Sequence, residues 1–277
     1  MRLRTETLVS PVHAAMAVKN LRMPTDNLLL AALPAAARRR LTANRVPVNL
    51  AIGEILSEAG ERIRHVYFPI EGFISLITPA QGRGQLEIGL VGCEGMLGVP
   101  LLLGVDVSPL RAMVQGAGRA WRVDAATLQQ ELAANVAVRT SLNRYLYVFL
   151  AQLMQTATCT RFHLIEARLA RWLLMTRDRA HSNQFHVTHE FLALMLGVRR
   201  VGVTSAASAL QRRQLIRYRR GDISILDVRG LERAACACYE IDKQVYSRIL
   251  SRKNGQPGTV PTAAALLATQ IVHSIAC

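Results

Sequence analysis

The chain lacks any apolar run long enough to cross a bilayer; stretches such as residues 99–105 and 146–150 fall far short of the ~20 residues a spanning helix needs, so no membrane role is expected. Its start, Met1-Arg-Leu-Arg-Thr-Glu, is basic but leads into no continuous apolar core ahead of a small-residue cleavage site, which argues against secretion. Cysteine is sparse and odd in number: Cys93, Cys159, Cys236, Cys238 and Cys277 suit free thiols in a reducing cytoplasm better than a disulfide framework. Cys236-Ala-Cys238 is not a CxxC pair and no third or fourth ligand stands near it in the sequence, so no metal site is expected. Enzyme signatures are missing as well. There is no Ser/His/Asp, paired-carboxylate or P-loop constellation, Gly82-Arg-Gly84 is too short to hold a phosphate, and His181, His186 and His189 read as capping and surface groups rather than zinc ligands.

Acid is in short supply. Only 19 Asp and Glu stand against 34 Lys and Arg, a net charge of +15. The imbalance is uneven, with 18 basic and 8 acidic residues in 161–256. A sequence pI near 10.7 favours a polyanionic partner but does not by itself separate DNA from RNA or an anionic membrane.

Glycine and proline are absent from residue 125 to about 160, whereas glycines such as Gly53, Gly60, Gly72, Gly89 and Gly98 punctuate residues 46–123. Short runs between those glycines, among them His65-Val-Tyr-Phe-Pro and Phe73-Ile-Ser-Leu-Ile, predict several short strands in a small β-barrel or roll. In the glycine-free stretch, Leu142, Leu146, Phe149 and Leu153 recur at 4-3-4 spacing. That stripe is the seam of a paired long helix, and a helix packed on its own barrel would show it too; the dimer seam is the preferred reading.

The most specific spacing is Thr188-His-Glu-Phe-Leu-Ala-Leu-Met-Leu-Gly197-Val-Arg-Arg-Val-Gly-Val-Thr-Ser-Ala-Ala-Ser-Ala-Leu210, followed by Arg217-Tyr-Arg-Arg-Gly-Asp-Ile-Ser-Ile-Leu226. It predicts a helix-turn-helix with a basic β-hairpin wing. Thr188 is a good N-cap, Gly197 supplies a turn at positive φ, Ala193 allows close crossing, and Leu192, Leu196, Val198, Val203 and Ala206 fall where two steeply crossed helices touch. Outward positions carry Arg199, Arg200, Val201, Thr204, Ser205 and Ser208, with Arg212 and Arg213 at the helix end and Arg217, Arg219 and Arg220 on the wing. No acid occurs between Glu190 and Asp222. Short polar and guanidinium side chains near a helix start can reach base edges in the major groove while arginines hold phosphates, which makes double-stranded DNA the expected partner.

The order roll, long helix, winged helix-turn-helix resembles the Crp/Fnr superfamily of bacterial transcription regulators, related to the cyclic-AMP receptor protein, over roughly residues 25–250. Its carriers are residues 188–210, 217–226 and Val91-Gly-Cys-Glu-Gly-Met-Leu-Gly98. The resemblance implies an α+β fold: an N-terminal extension (1–23), a cyclic-nucleotide-binding-like sensor β-roll (24–125), a dimerisation helix (126–160), a winged helix-turn-helix DNA-binding domain (161–252) and a C-terminal tail (253–277). It also implies a homodimer reading a two-fold DNA site, with RNA polymerase as a further partner.

Departures from the family's pattern concern the signal. Nucleotide-binding members use a Gly-Glu pair for the ribose and an Arg-Ser pair for the cyclic phosphate; here Gly95-Met96 and Pro109-Leu110 stand there, with Arg111 the remaining basic residue nearby. Leu153 and Met154 replace the polar groups that would meet the base. Met96, Arg111, Leu153 and Met154 therefore mark the expected effector pocket, an apolar one in which a desolvated cyclic phosphate would be poorly paired. No cysteine precedes Cys93, which removes the family's iron-sulfur sensor. His65, Met96 and Cys93 are read as packing or surface groups rather than haem ligands, so no cofactor is expected. On the recognition helix, Arg200, Val201 and Ser205 stand where relatives place Arg, Glu and Arg, so the usual half-site is not expected. The reading is a homodimeric DNA-binding transcription regulator that does not bind cyclic AMP in the usual way. Its alternatives are a regulator gated by a cyclic nucleotide or dinucleotide through Arg111, and an anion-binding scaffold or enzyme using the winged domain for protein contacts.

Overall fold

The computed structural model describes residues 26–79 and 85–250; the N-terminal extension, Gly82-Arg-Gly84 and the tail with Cys277 lie outside the described residues. Two short helices, α1 (Leu28–Ala31) and α2 (Ala35–Leu41), lead into β1 (Val46–Leu50), β2 (Ile55–Ser57), β3 (His65–Pro69), β4 (Phe73–Pro79) and β5 (Gln85–Val91). A 3-10 turn (Val99–Leu103), β6 (Arg111–Gly116) and β7 (Gly118–Asp124) follow. These strands form two antiparallel sheets, ordered β1-β7-β3 and β2-β6-β4-β5. Strand β3 shows why they face each other: Val66 and Phe68 are fully buried, while His65 and Tyr67 alternate outward. Gly72 stands at φ 75°, and a Cβ there would meet the Gly116 carbonyl oxygen at 2.2 Å. Buried Asn27 ties the entry helix to the roll, accepting from Leu30 N at 3.0 Å and donating to the Pro69 and Gly95 carbonyls at 2.9 and 2.8 Å.

The glycine-free stretch is two helices rather than one, α3 (Ala125–Ala134) and α4 (Val136–Phe162). Asn135 interrupts them in extended backbone, its side chain accepting from the Ala137 and Val138 amides at 3.0 and 3.3 Å. That cap satisfies donors of a new helix, which is why the chain breaks without Gly or Pro.

The expected dimer seam is also corrected. Leu142 and Phe149 are buried in the roll's own core, and Leu146 and Leu153 pack against it half-buried. Tyr145 joins them, its hydroxyl donating to the Met96 carbonyl at 3.2 Å. The stripe is thus the helix's intramolecular face, worth ~1.5–3 kcal/mol for each fully buried large side chain. Tyr147, Leu150 and Met154, at 3-4 spacing on another face, are exposed in the middle of α4, and Val136 and Phe162 at its two ends.

Beyond α4 come α5 (Ile165–Ala180), β8 (Gln184–His186), α6 (His189–Leu196), α7 (Arg200–Arg212), β9 (Ile216–Arg219), β10 (Asp222–Ile225), α8 (Val228–Ala234) and α9 (Cys238–Leu250). Leu169, Ala170, Leu173 and Leu174 of α5 form the centre of this lobe's core, which extends to Phe73 and Leu90 of the roll. Polar groups bridge the lobes too. Arg179 pairs with Glu94 at 2.8 Å, and Trp172 Nε1 donates to Glu87 at 2.8 Å. Among the described residues no single helix is long and apolar enough to cross a membrane.

Candidate nucleic-acid interface and sensor cavity

Helices α6 and α7 are bent by 108° to each other, within the range of a helix-turn-helix. Thr188 caps α6 by accepting from Phe191 N at 3.2 Å, and Gly197 ends it at φ 61°. Leu192, Ala193, Leu196, Val203 and Ala206 are buried between the helices and Val198 half-buried, as their spacing predicts. Arg168 of α5 donates from Nη2 to the Leu196 carbonyl, capping the C-terminal end of α6.

This packing leaves the opposite side of α7 open. Val201, Thr204 and Ser205 are exposed and Ser208 half-buried, a row at i, i+3, i+4 and i+7; Arg199 and Arg200 stand exposed at the helix start. Val201 is 68 % exposed, so its methyl groups lie on the open face of α7. Thr204 Oγ1 lies 3.1 Å from His189 Nδ1, and the His189 ring stacks on Tyr218 with centroids 4.2 Å apart. Burial, then the Arg200 charge, hold the His189 imidazole below its ordinary pKa. The interface thereby fixes Thr204 against the wing.

The wing is β9, a turn with Arg220 and Gly221 at positive φ, and β10, which also pairs with β8. Arg217, Arg219 and Arg220 are exposed on it, and Arg212 is exposed at the end of α7. Arg213 differs from expectation: its Nη1 donates to Glu166 at 2.7 Å, which directs it onto α5. The three histidines do not cluster. His181 lies 3.5 Å from Cys93 Sγ, His186 pairs with Asp222 at 2.8 Å, and His189 stacks on Tyr218.

A cavity of about 630 Å³ opens in the roll between β3, the 3-10 turn and α4. Met96, Leu76, Val99, Leu103, Phe149 and Leu150 are among its lining residues, with Arg64, His65 and Ser108 as polar members. Of the four residues expected there, only Met96 lines it. Arg111 is held by Glu58 at 2.8 Å, and neither Leu153 nor Met154 reaches the cavity, because Leu153 packs toward the core and Met154 is 62 % exposed. One helical residue is 100° of rotation, so a small error of register moves a side chain to another face.

One group escaped the sequence reading. The fold brings Cys159 and His163, at the end of α4, to Cys236, between α8 and α9, and Cys238, the first residue of α9, with all four ligand atoms within 4.8 Å of one another. The expectation that no third or fourth ligand lies near Cys236 and Cys238 is therefore wrong. Hydrogen bonds from Cys236 and Cys238, with the charges of Arg171 and Arg168, hold the Cys159 thiol well below its usual range. Cys93 is the opposite case, pushed up to about 12 by burial and then by Glu94. A signal existed in the i, i+4 placement of Cys159 and His163, but it needed the α8–α9 junction to give it meaning.

A helix-turn-helix with a basic wing, joined by a long helix to a β-roll, defines a two-lobed architecture of the DNA-binding winged-helix class. Residues 167–234 match the Crp-like helix-turn-helix domain. The fold is shared with a protein of Eubacterium rectale described as a transcriptional regulator of the Crp/Fnr family (18% identity, covering 74% of this chain and 96% of that one, TM-score 0.60). It is also shared with the c-di-GMP-responsive global regulator CLP of Xanthomonas campestris (17%, 70% and 100%, TM-score 0.58) and a Crp/Fnr-family transcriptional regulator of Thermus thermophilus (22%, 69% and 98%, TM-score 0.53). No curated protein matches the chain in sequence. Residues 167–234 are thus a Crp-like helix-turn-helix domain, and the chain shares the fold of these Crp/Fnr-family structures.

Proposed function

We propose that the chain acts in the cytoplasm as a homodimer that reads a two-fold DNA site, with the α7 row entering the major groove. The observation that carries this is the exposed row Val201, Thr204, Ser205 and Ser208 set between Arg199 and Arg200 on one side and the wing arginines on the other. Short hydroxyl side chains reach base edges, Val201 offers a methyl surface suited to thymine, and Arg200 is placed to address guanine. Phosphates fall to the α7 N-terminus, whose first turn holds no acid, and to Arg217, Arg219 and Arg220. Tyr147, Leu150 and Met154 supply the dimer face, since they form the exposed apolar row in the middle of α4.

The roll serves an apolar or weakly polar effector. A volume of about 630 Å³ suits a small molecule. Arg111 is already neutralised by Glu58, leaving a cyclic phosphate without that clamp. DNA sequences selected from a random pool should share a two-fold motif, and Arg200→Ala should lose about tenfold to a hundredfold of discrimination at fixed salt. Unchanged specificity would sink the assignment of Arg200. Calorimetry with cyclic AMP and cyclic di-GMP should show no binding; micromolar heat with either would overturn the effector reading.

A further inference from the structure

We propose that Cys159, His163, Cys236 and Cys238 form a closed, tetrahedral site for one zinc-class divalent ion, clasping the end of α4 to the DNA-binding lobe. Cys159 Sγ lies 3.4 Å from Cys236 Sγ, and His163 Nδ1 lies 3.3 Å from Cys238 Sγ. Zinc–sulfur bonds of about 2.3 Å set tetrahedral ligands about 3.8 Å apart, so the four atoms already stand near the separation one ion requires. All four lie within 4.8 Å of one another, too close to straddle an iron-sulfur cluster, whose bridging sulfides hold the thiolates apart.

Local structure aims each ligand inward. Cys159 and His163 are one helical turn apart, and the His163 amide donates to the Cys159 carbonyl at 3.1 Å, which keeps both on one face as α4 ends. Cys236 and Cys238 alternate around exposed Ala237 as the chain passes from α8 into α9. Gln155 Nε2 donates to Cys238 Sγ at 2.9 Å, an outer hydrogen bond of the kind that orients metal thiolates. Three thiolates and a divalent ion leave one negative charge, which faces Arg168 and Arg171, both acting on Cys159, with Arg171 also paired to Asp242 at 2.7 Å. Three sulfurs and one imidazole fill four positions, so the site holds structure rather than activating water.

Position gives the ion a consequence. Two ligands close the helix that packs on the roll, and two belong to the lobe that carries α7, so occupancy fixes the bend at His163 and Leu164. Control of DNA affinity through that bend rests on the regulator reading above; the metal site does not.

The test uses full-length, untagged, reduced chain stripped with a chelator and titrated with Co2+, then Zn2+. One equivalent per chain should give the intense visible bands and thiolate charge transfer of a tetrahedral sulfur-rich site, bleached by Zn2+. His163→Ala should weaken binding at least about tenfold, His163→Cys should restore it with stronger charge transfer, and Cys277→Ser should leave stoichiometry unchanged. Octahedral or absent cobalt bands in the reduced chain, binding unaffected by His163→Ala, or a Cys159–Cys236 disulfide persisting under reductant would each overturn the site. Mobility shifts on selected DNA should then differ about tenfold between zinc-loaded and stripped protein. Equal affinities would remove the control while leaving the ion in place. Failure of both forms to bind DNA would sink the regulator reading, and the cobalt spectrum would still decide the site.

Discussion

Replacing Glu87 with Gln should remove about 3 kcal/mol of the chain's loss of stability between mildly acidic and neutral pH. Glu87 of β5 is fully buried, accepts from Ser75 Oγ at 2.5 Å and Trp172 Nε1 at 2.8 Å, and so links the roll to α5. Burial raises its pKa from 4.5 to about 7, against the hydrogen bonds from Ser75 and Trp172 and the charges of Arg179 and Arg171. Below pH 4.5 the carboxyl is protonated in both folded and unfolded chains. As pH climbs toward 7 the unfolded chain releases its proton while the folded chain keeps it, so the folded state loses stability over that window and no more above it. At about 1.4 kcal/mol per pH unit the loss reaches about 3 kcal/mol, a large share of the ~5–15 kcal/mol by which a domain is stable. Gln keeps the shape, can accept from Trp172 through its oxygen and donate to Ser75 through its amide, and does not titrate. Urea unfolding of both proteins at pH 4 and pH 8 should show the variant gaining about 3 kcal/mol on the wild type across that range. Asp242, pushed up to about 6 by burial against the pull of Arg171, titrates in both proteins and drops out of the difference. A difference that stays constant between the two pH values would refute the assignment of a neutral buried carboxyl to Glu87.

Arg219→Ala should weaken DNA binding for all sequences alike and reduce the slope of log affinity against log salt by about 0.9, as expected for one lost phosphate contact; an altered sequence preference would contradict that role. Met154→Glu should yield a folded monomer in sedimentation, because it places charges on the exposed face of α4 without touching the cavity lining. Leu142→Ala should instead cost ~2–5 kcal/mol of stability and leave the folded fraction dimeric, since Leu142 is fully buried in the roll core. If Leu142→Ala dissociates the dimer and Met154→Glu does not, the two faces of α4 have been exchanged.

The helix-turn-helix was legible because its determinants are local. Thr188, Gly197 and the buried apolar positions sit within one short segment, where caps, positive φ and crossing geometry act over a few residues. The roll was legible as texture, through glycine turns and alternation, though not in its strand order. Helix α4 was harder. Leu142, Leu146, Phe149 and Leu153 form one 3-4 row and Tyr147, Leu150 and Met154 another, and periodicity reports that a row is covered without saying by what. The break at Asn135 was signalled only by a side chain able to cap, a weaker mark than the proline or glycine that the stretch lacks.

The polar pairings that lay furthest beyond the sequence depend on two segments meeting across the join between lobes. Cys159 and Cys236 are 77 residues apart in the sequence, and Glu87 and Trp172, like Glu94 and Arg179, are 85 apart. Each pair joins the roll or α4 to the lobe that carries α7, and each is polar where the surrounding join is apolar, with Phe73 and Leu90 of the roll sharing one core with Leu173. An apolar join tolerates small slides at little cost, whereas a buried carboxyl, an ion pair or a set of thiols is satisfied in only one arrangement and costs free energy in the others. These few groups therefore favour one arrangement of the apolar join over its neighbours, and Glu87→Gln and the cobalt titration test them one at a time.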